Sequence, residues 1–137
     1  MPEPREERRR TPRRAAGPAF TVPGFTIDDE ILDDGTRILT VSGELDVATG
    51  PVLGQRIRRP LFWEEVNRLV VDLTEVTFVD SSGTNALMLS YAHARALNRA
   101  VLFVCPDSSV LRRLSTYGLA SRLPLYATRR EALEAPA

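Results

Sequence analysis

At 137 residues the chain has the length of one ordinary domain, and 43% hydrophobic with 26% charged residues is the composition of a soluble globular protein. Eighteen basic residues, all of them arginine, balance 18 acidic ones, and a net charge of zero argues against a general nucleic-acid binder. No apolar run approaches the ~20 residues that span a bilayer, and the charged, Pro-rich start lacks the apolar core of a signal peptide, so a cytoplasmic protein without membrane contact is expected.

The chain opens on a tail. Residues 1–19 hold six of the arginines (Arg5, Arg8, Arg9, Arg10, Arg13, Arg14), four prolines and almost no apolar side chains, a composition that predicts disorder. Glu3, Glu6 and Glu7 dilute its charge and favour a solvated leader over a phosphate-binding arm. Phe25–Leu32 and Arg37–Ser42 read as strands joined by Asp33-Asp34-Gly35-Thr36, and Asp-Gly is a strong hairpin signal because glycine accepts positive φ. Thr49–Leu61 reads as a helix with Pro51 in its first turn, Val52, Leu53, Ile57 and Leu61 on its buried stripe, and an end near Pro60.

Arg68–Val79 is an apolar, β-branched run of the kind buried on both faces of a sheet. From Thr84 the spacing becomes helical, with Ala86, Leu87, Ser90, Ala94 and Leu97 on one side and Thr84, Met88, Tyr91 and Arg95 on what reads as an outward stripe suited to docking. Val101–Cys105 follows as a buried strand whose lone cysteine cannot form an internal disulfide. A helix over Asp107–Tyr117 stopped by Gly118, a short strand at Leu123–Tyr126 and a helix over Arg129–Leu133 complete the pattern. Strands alternating with helices predict a single α/β domain over residues 20–133, with a mostly parallel sheet, an N-terminal antiparallel hairpin and a C-terminal tail at 134–137.

The chemistry concentrates where the Arg68 strand ends in Asp80-Ser81-Ser82-Gly83. Asp80, Ser81 or Ser82 would cap the helix that follows, and a phosphate on either serine would meet free N–H groups at the positive end of the helix dipole. Ordinary capping is the plainer reading of the same residues. An enzyme with Ser81 as nucleophile is excluded as far as His93 is its base, because twelve residues of helix separate the two by roughly 18 Å. Clustered acids for a metal, a glycine-rich phosphate loop and a cofactor motif are all missing, so no catalytic residue, metal or cofactor is expected.

The segment VVDLTEVTFVDSSGTNALML resembles the phosphorylation-site signature of the STAS domain of bacterial anti-sigma-factor antagonists, and VSGELDVATGPVL, Val41–Leu53, is similar to the other hallmark of that family. The resemblance implies that Ser81 is the phosphorylated serine, with Asp80, Ser82 and Gly83 forming the rest of its loop, and that Asp46 lies near the same surface. The family usually continues Gly-Leu-Gly where this chain has Gly83-Thr84-Asn85, a departure that bears on partner choice more than on fold. The function so implied is that of a binding switch and not an enzyme. The unphosphorylated form would bind an anti-sigma factor that is also a serine kinase, phosphorylation at Ser81 would end that binding, and a serine phosphatase would restore it. A STAS scaffold or sensor module of a larger signalling assembly is the alternative.

Overall fold

A computed structural model describes residues 20–136; the predicted disorder of the first 19 residues lies outside them. Six strands lie side by side in chain order: β1 (Phe20–Val22), β2 (Phe25–Ile31), β3 (Thr36–Leu45), β4 (Arg68–Val79), β5 (Ala100–Val104) and β6 (Leu125–Tyr126). β1, β2 and β3 pair antiparallel, whereas β3 to β6 are parallel. Among the described residues four α-helices, α1 (Gly50–Arg58), α2 (Ser81–Ala96), α3 (Ser109–Thr116) and α4 (Arg129–Glu134), follow β3, β4, β5 and β6. The mixed sheet with an N-terminal hairpin is the α/β architecture that the sequence predicts.

Local chemistry sets the boundaries. Gly35 turns the β2–β3 hairpin at φ +85°, and the Thr36 N–H donates to Asp34 Oδ1 at 2.9 Å, a side chain closing the turn on its own backbone. The helix expected to run to Leu61 instead stops at Arg58 and tightens into a 3₁₀ turn, Arg59–Phe62. Pro60 explains this, since it has no N–H to donate and its ring crowds the preceding turn. β1 was not legible in the sequence, because three residues FTV carry too short a pattern.

The two faces of the sheet are unequally covered. One face packs Ile27, Leu39, Val41, Leu69, Val71 and Phe103 against Leu53 and Ile57 of α1, Leu87 of α2 and Leu114 of α3 in the main core. Each such side chain stabilises by ~1.5–3 kcal/mol on full burial. The other face packs Ile38, Val70, Leu102 and Val104 under α4 through Ala132 and Ala135. Arg129 ties α4 down, its guanidinium donating to Asp72 Oδ2 at 3.0 Å and to Thr40 Oγ1 at 2.9 Å. α4 runs through Glu134, and Ala135 beyond it is buried.

Candidate functional site

β3 and β4 run parallel and end together, at Leu45 and Val79, so the loops leading into α1 and α2 share one edge of the molecule. This is the carboxyl end of the strands, where α/β folds place ligands. The Asp80 N–H donates to the Leu45 carbonyl at 3.1 Å and joins the two loops.

Asp80 is the N-cap of α2. Its backbone is extended, its Oδ1 accepts the Gly83 N–H at 2.9 Å, and its carbonyl accepts the Thr84 N–H at 2.9 Å. Ser81 is therefore the first residue of the helix and exposed, and Ser82 beside it is half-buried. Among the described residues neither serine hydroxyl has a hydrogen-bond partner. The first turn contains no acidic residue, while His93 and Arg95 occupy the last, so an anion at Ser81 would meet the positive end of a dipole with no charge inside the helix opposing it there. Gly83 sits against the neighbouring loop so closely that a Cβ would lie 2.4 Å from the Leu45 carbonyl oxygen. The glycine of the motif is thus required by the contact between the loops.

Asp46 folds its own loop. Oδ1 accepts the N–H of Thr49 at 3.0 Å and of Ala48 at 2.9 Å, and these bonds hold its carboxyl below the usual aspartate range. The Thr49 hydroxyl donates to the Glu44 carbonyl at 2.7 Å and lies 3.1 Å from the same Asp46 oxygen. Asp46 and Asp80 accordingly bring two carboxylates to the edge that carries the free serines.

The structure corrects the expected docking stripe. Thr84 is 4% exposed with a buried hydroxyl that lacks a partner, and Met88 and Tyr91 are half-buried against the main core. The sequence reading pointed Ala86 and Ser90 at the sheet, yet a Cβ on Gly50 would lie 3.2 Å from Ala86 Cβ and one on Gly54 would lie 3.7 Å from Ser90 Oγ, so that side of α2 faces α1. Leu97, which the spacing groups with Leu87 and Ala94, is 39% exposed, and His93 is exposed with its Nδ1 2.9 Å from the Leu89 carbonyl. The surface beyond the serines belongs instead to Asn85 and Leu89, facing Val47 and Pro51 across a groove between α1 and α2. Val47 is 74% exposed and Leu89 48%. A large apolar residue off the buried arc was the available signal for Leu89; Val47, in a loop, gave none.

Among the described residues no helix is long and apolar enough to cross a membrane, and no group of three His, Cys, Asp or Glu side chains converges on a point where a metal ion could sit. Cys105 is buried, and that burial raises its thiol pKa.

The family model of the STAS domain matches residues 29–132, and the chain belongs to that family. An anti-sigma factor antagonist from Mycobacterium paratuberculosis is 30% identical, with a TM-score of 0.70 over 83% of this chain and 96% of that one. Two structures of SpoIIAA share the fold. The unphosphorylated anti-sigma factor antagonist is 21% identical with a TM-score of 0.64, over 79% of this chain and 93% of that one. The phosphorylated Bacillus cell fate determinant is 20% identical with a TM-score of 0.60, over 79% and 96%.

Proposed function

We propose that this STAS domain is an anti-sigma-factor antagonist switched at Ser81. In its unphosphorylated form it binds an anti-sigma factor that is also a serine kinase, which frees the sigma factor. Transfer of the ATP γ-phosphoryl group to the Ser81 hydroxyl ends the binding, and a serine phosphatase restores it. The observation that carries this reading is an exposed serine at the first position of α2 whose hydroxyl has no partner among the described residues. Thr84, the other hydroxyl of that turn, is buried and out of reach of a kinase while the helix is folded.

The physical basis of the switch is charge. A phosphate adds about −1.5 to −2 charges beside Asp80 and Asp46, while first-turn N–H groups can hold it without refolding the domain. A partner that presents ATP phosphates at this edge would then be repelled.

The full chain, tagged and recovered from the cells that make it with and without phosphatase treatment, tests the reading by mass spectrometry. An anti-sigma kinase bound to the dephosphorylated chain and a single phosphate on Ser81 are expected. Ser81→Ala should keep the partner and lose the phosphate, and Ser81→Asp should bind at least tenfold more weakly. Phosphate mapped to Ser82 or Thr84, or equal binding by Ser81→Asp and wild type, would overturn it.

A further inference from the structure

The formal charge of zero conceals a segregated surface. α1, α2, α3 and the 3₁₀ turn, which cover one face of the sheet, contain Arg56, Arg58, Arg59, Arg95, Arg112 and Arg113 and not one Asp or Glu. Of these arginines Arg58 lines the groove between α1 and α2, and among the described residues it takes part in no ion pair or hydrogen bond through its side chain. The rest of the groove is mostly apolar, with Val47 and Pro51 on one wall, Leu89 on the opposite wall and Gly54 between the helices, and Ser82 and Asn85 are its uncharged polar members. Its volume of about 290 Å³ is at the lower limit of the ~300–1,000 Å³ common for small-molecule sites, which suits one or two side chains of a protein segment.

We propose that this groove receives a short partner segment in which an apolar side chain stands beside a carboxylate, the apolar group seated between Val47, Pro51 and Leu89 and the carboxylate paired with Arg58. The inference rests on the antagonist reading and adds the chemistry and direction of the partner's contact. Ser82 also lines the groove, so the segment would lie next to the phosphorylation loop. Direction follows from charge. Asp46 and Asp80 repel a carboxylate at the Ser81 end, and Arg58, which shares the last turn of α1 with Arg56, attracts it at the other. Guanidinium and carboxylate match in geometry as well as in sign.

The test uses the full chain carrying Leu89→p-benzoylphenylalanine, expressed in the cells that make the protein and irradiated, with Phe62→p-benzoylphenylalanine as the control. Phe62 is 72% exposed and lies in the 3₁₀ turn, outside the groove. The expected result is a cross-link from position 89, absent from position 62, to a partner peptide that holds an Asp or Glu within one helical turn of an apolar residue. Adding Arg58→Glu should cut the yield at least tenfold while circular dichroism and melting stay unchanged, and changing the partner's carboxylate to arginine should restore it. Arg58→Ala, which removes the charge without reversing it, should give an intermediate yield.

No cross-link from position 89, a cross-linked peptide without a carboxylate, or a yield indifferent to Arg58→Glu would overturn the proposal. A cross-link to nucleic acid would do so as well. Ser81→Asp in the same chain separates the two readings. If it leaves the cross-link intact while Arg58→Glu abolishes it, the groove stands and the phosphate switch falls; the reverse pattern removes the groove alone.

Discussion

The two loops at the carboxyl edge of the sheet begin alike and end differently. Each leaves a strand through an aspartate, each uses that aspartate's Oδ1 to accept backbone N–H at the entry to a helix (Ala48 and Thr49 before α1, Gly83 in the first turn of α2), and each has hydroxyl residues close behind. In the first loop the Thr49 hydroxyl is spent inside the turn, on the Glu44 carbonyl. In the second the capping is done by Asp80 alone, and the Ser81 and Ser82 hydroxyls are left over. The freedom of the Ser81 hydroxyl is therefore a matter of what the aspartate has already satisfied. A hydroxyl that caps would be oriented and occupied, whereas one released from capping can be presented to another protein.

Gly83→Ala should break this comparison most severely, because it forces the loops apart at the point where they touch. A Cβ at 2.4 Å from the Leu45 oxygen meets backbone, which cannot swing away. Overpacking of this kind costs ~1–3 kcal/mol or more and outweighs the ~1 kcal/mol by which alanine favours helix over glycine. A loss of roughly 5–10 °C in Tm is expected by calorimetry. Unchanged melting would mean that the loops are free to separate.

Asp80→Ala comes next. It removes a cap whose loss is worth ~0.5–2 kcal/mol, and it should also expose the first turn to faster amide exchange at Gly83. If exchange there is unaffected, Ser81 or Ser82 has taken over the cap, and the distinction between a spent and a free hydroxyl disappears.

The smallest effect concerns Asp46 and depends on pH. Its carboxyl is held below its ordinary value, so the folded state favours the carboxylate and binds the proton less readily than the unfolded chain. That contribution is present above the unfolded value of about 3.9 and is lost as pH falls through the lower folded value. The difference in Tm between wild type and Asp46→Asn should therefore be seen at neutral pH and shrink below about pH 4. A difference that stays constant down to pH 3 would show that the amide side chain supports the turn as well as the carboxylate does.

Much of this was legible in advance for reasons that can be named. The β4 strand announces itself by a run of β-branched residues, the hairpin by Asp34-Gly35 and the end of α3 by Gly118, which adopts φ +80°. A cap at Asp80, Ser81 or Ser82 was legible because capping is local, and Asp80 is the one that fills it; the interest of Asp46 came from the family resemblance alone. The rotation of α2 was not legible. A helix wheel locates an apolar arc but cannot say which part of it faces a sheet and which a neighbouring helix, and here the small residues Ala86 and Ser90 meet the glycines of α1 while Met88 and Tyr91 lie over the core. Val47 and Arg58 fall outside any local pattern, since the groove they line is formed only when two helices pack.

Among the described residues the sheet is bordered at both sides by very little strand. β6 has two residues and β1 three, and the stretch of β2 that β1 leaves uncovered carries Asp28, Asp29 and Glu30. Short and charged borders give another chain almost no ladder of free N–H and carbonyl groups to extend. At these two borders the architecture discourages fibre-like growth from strand to strand.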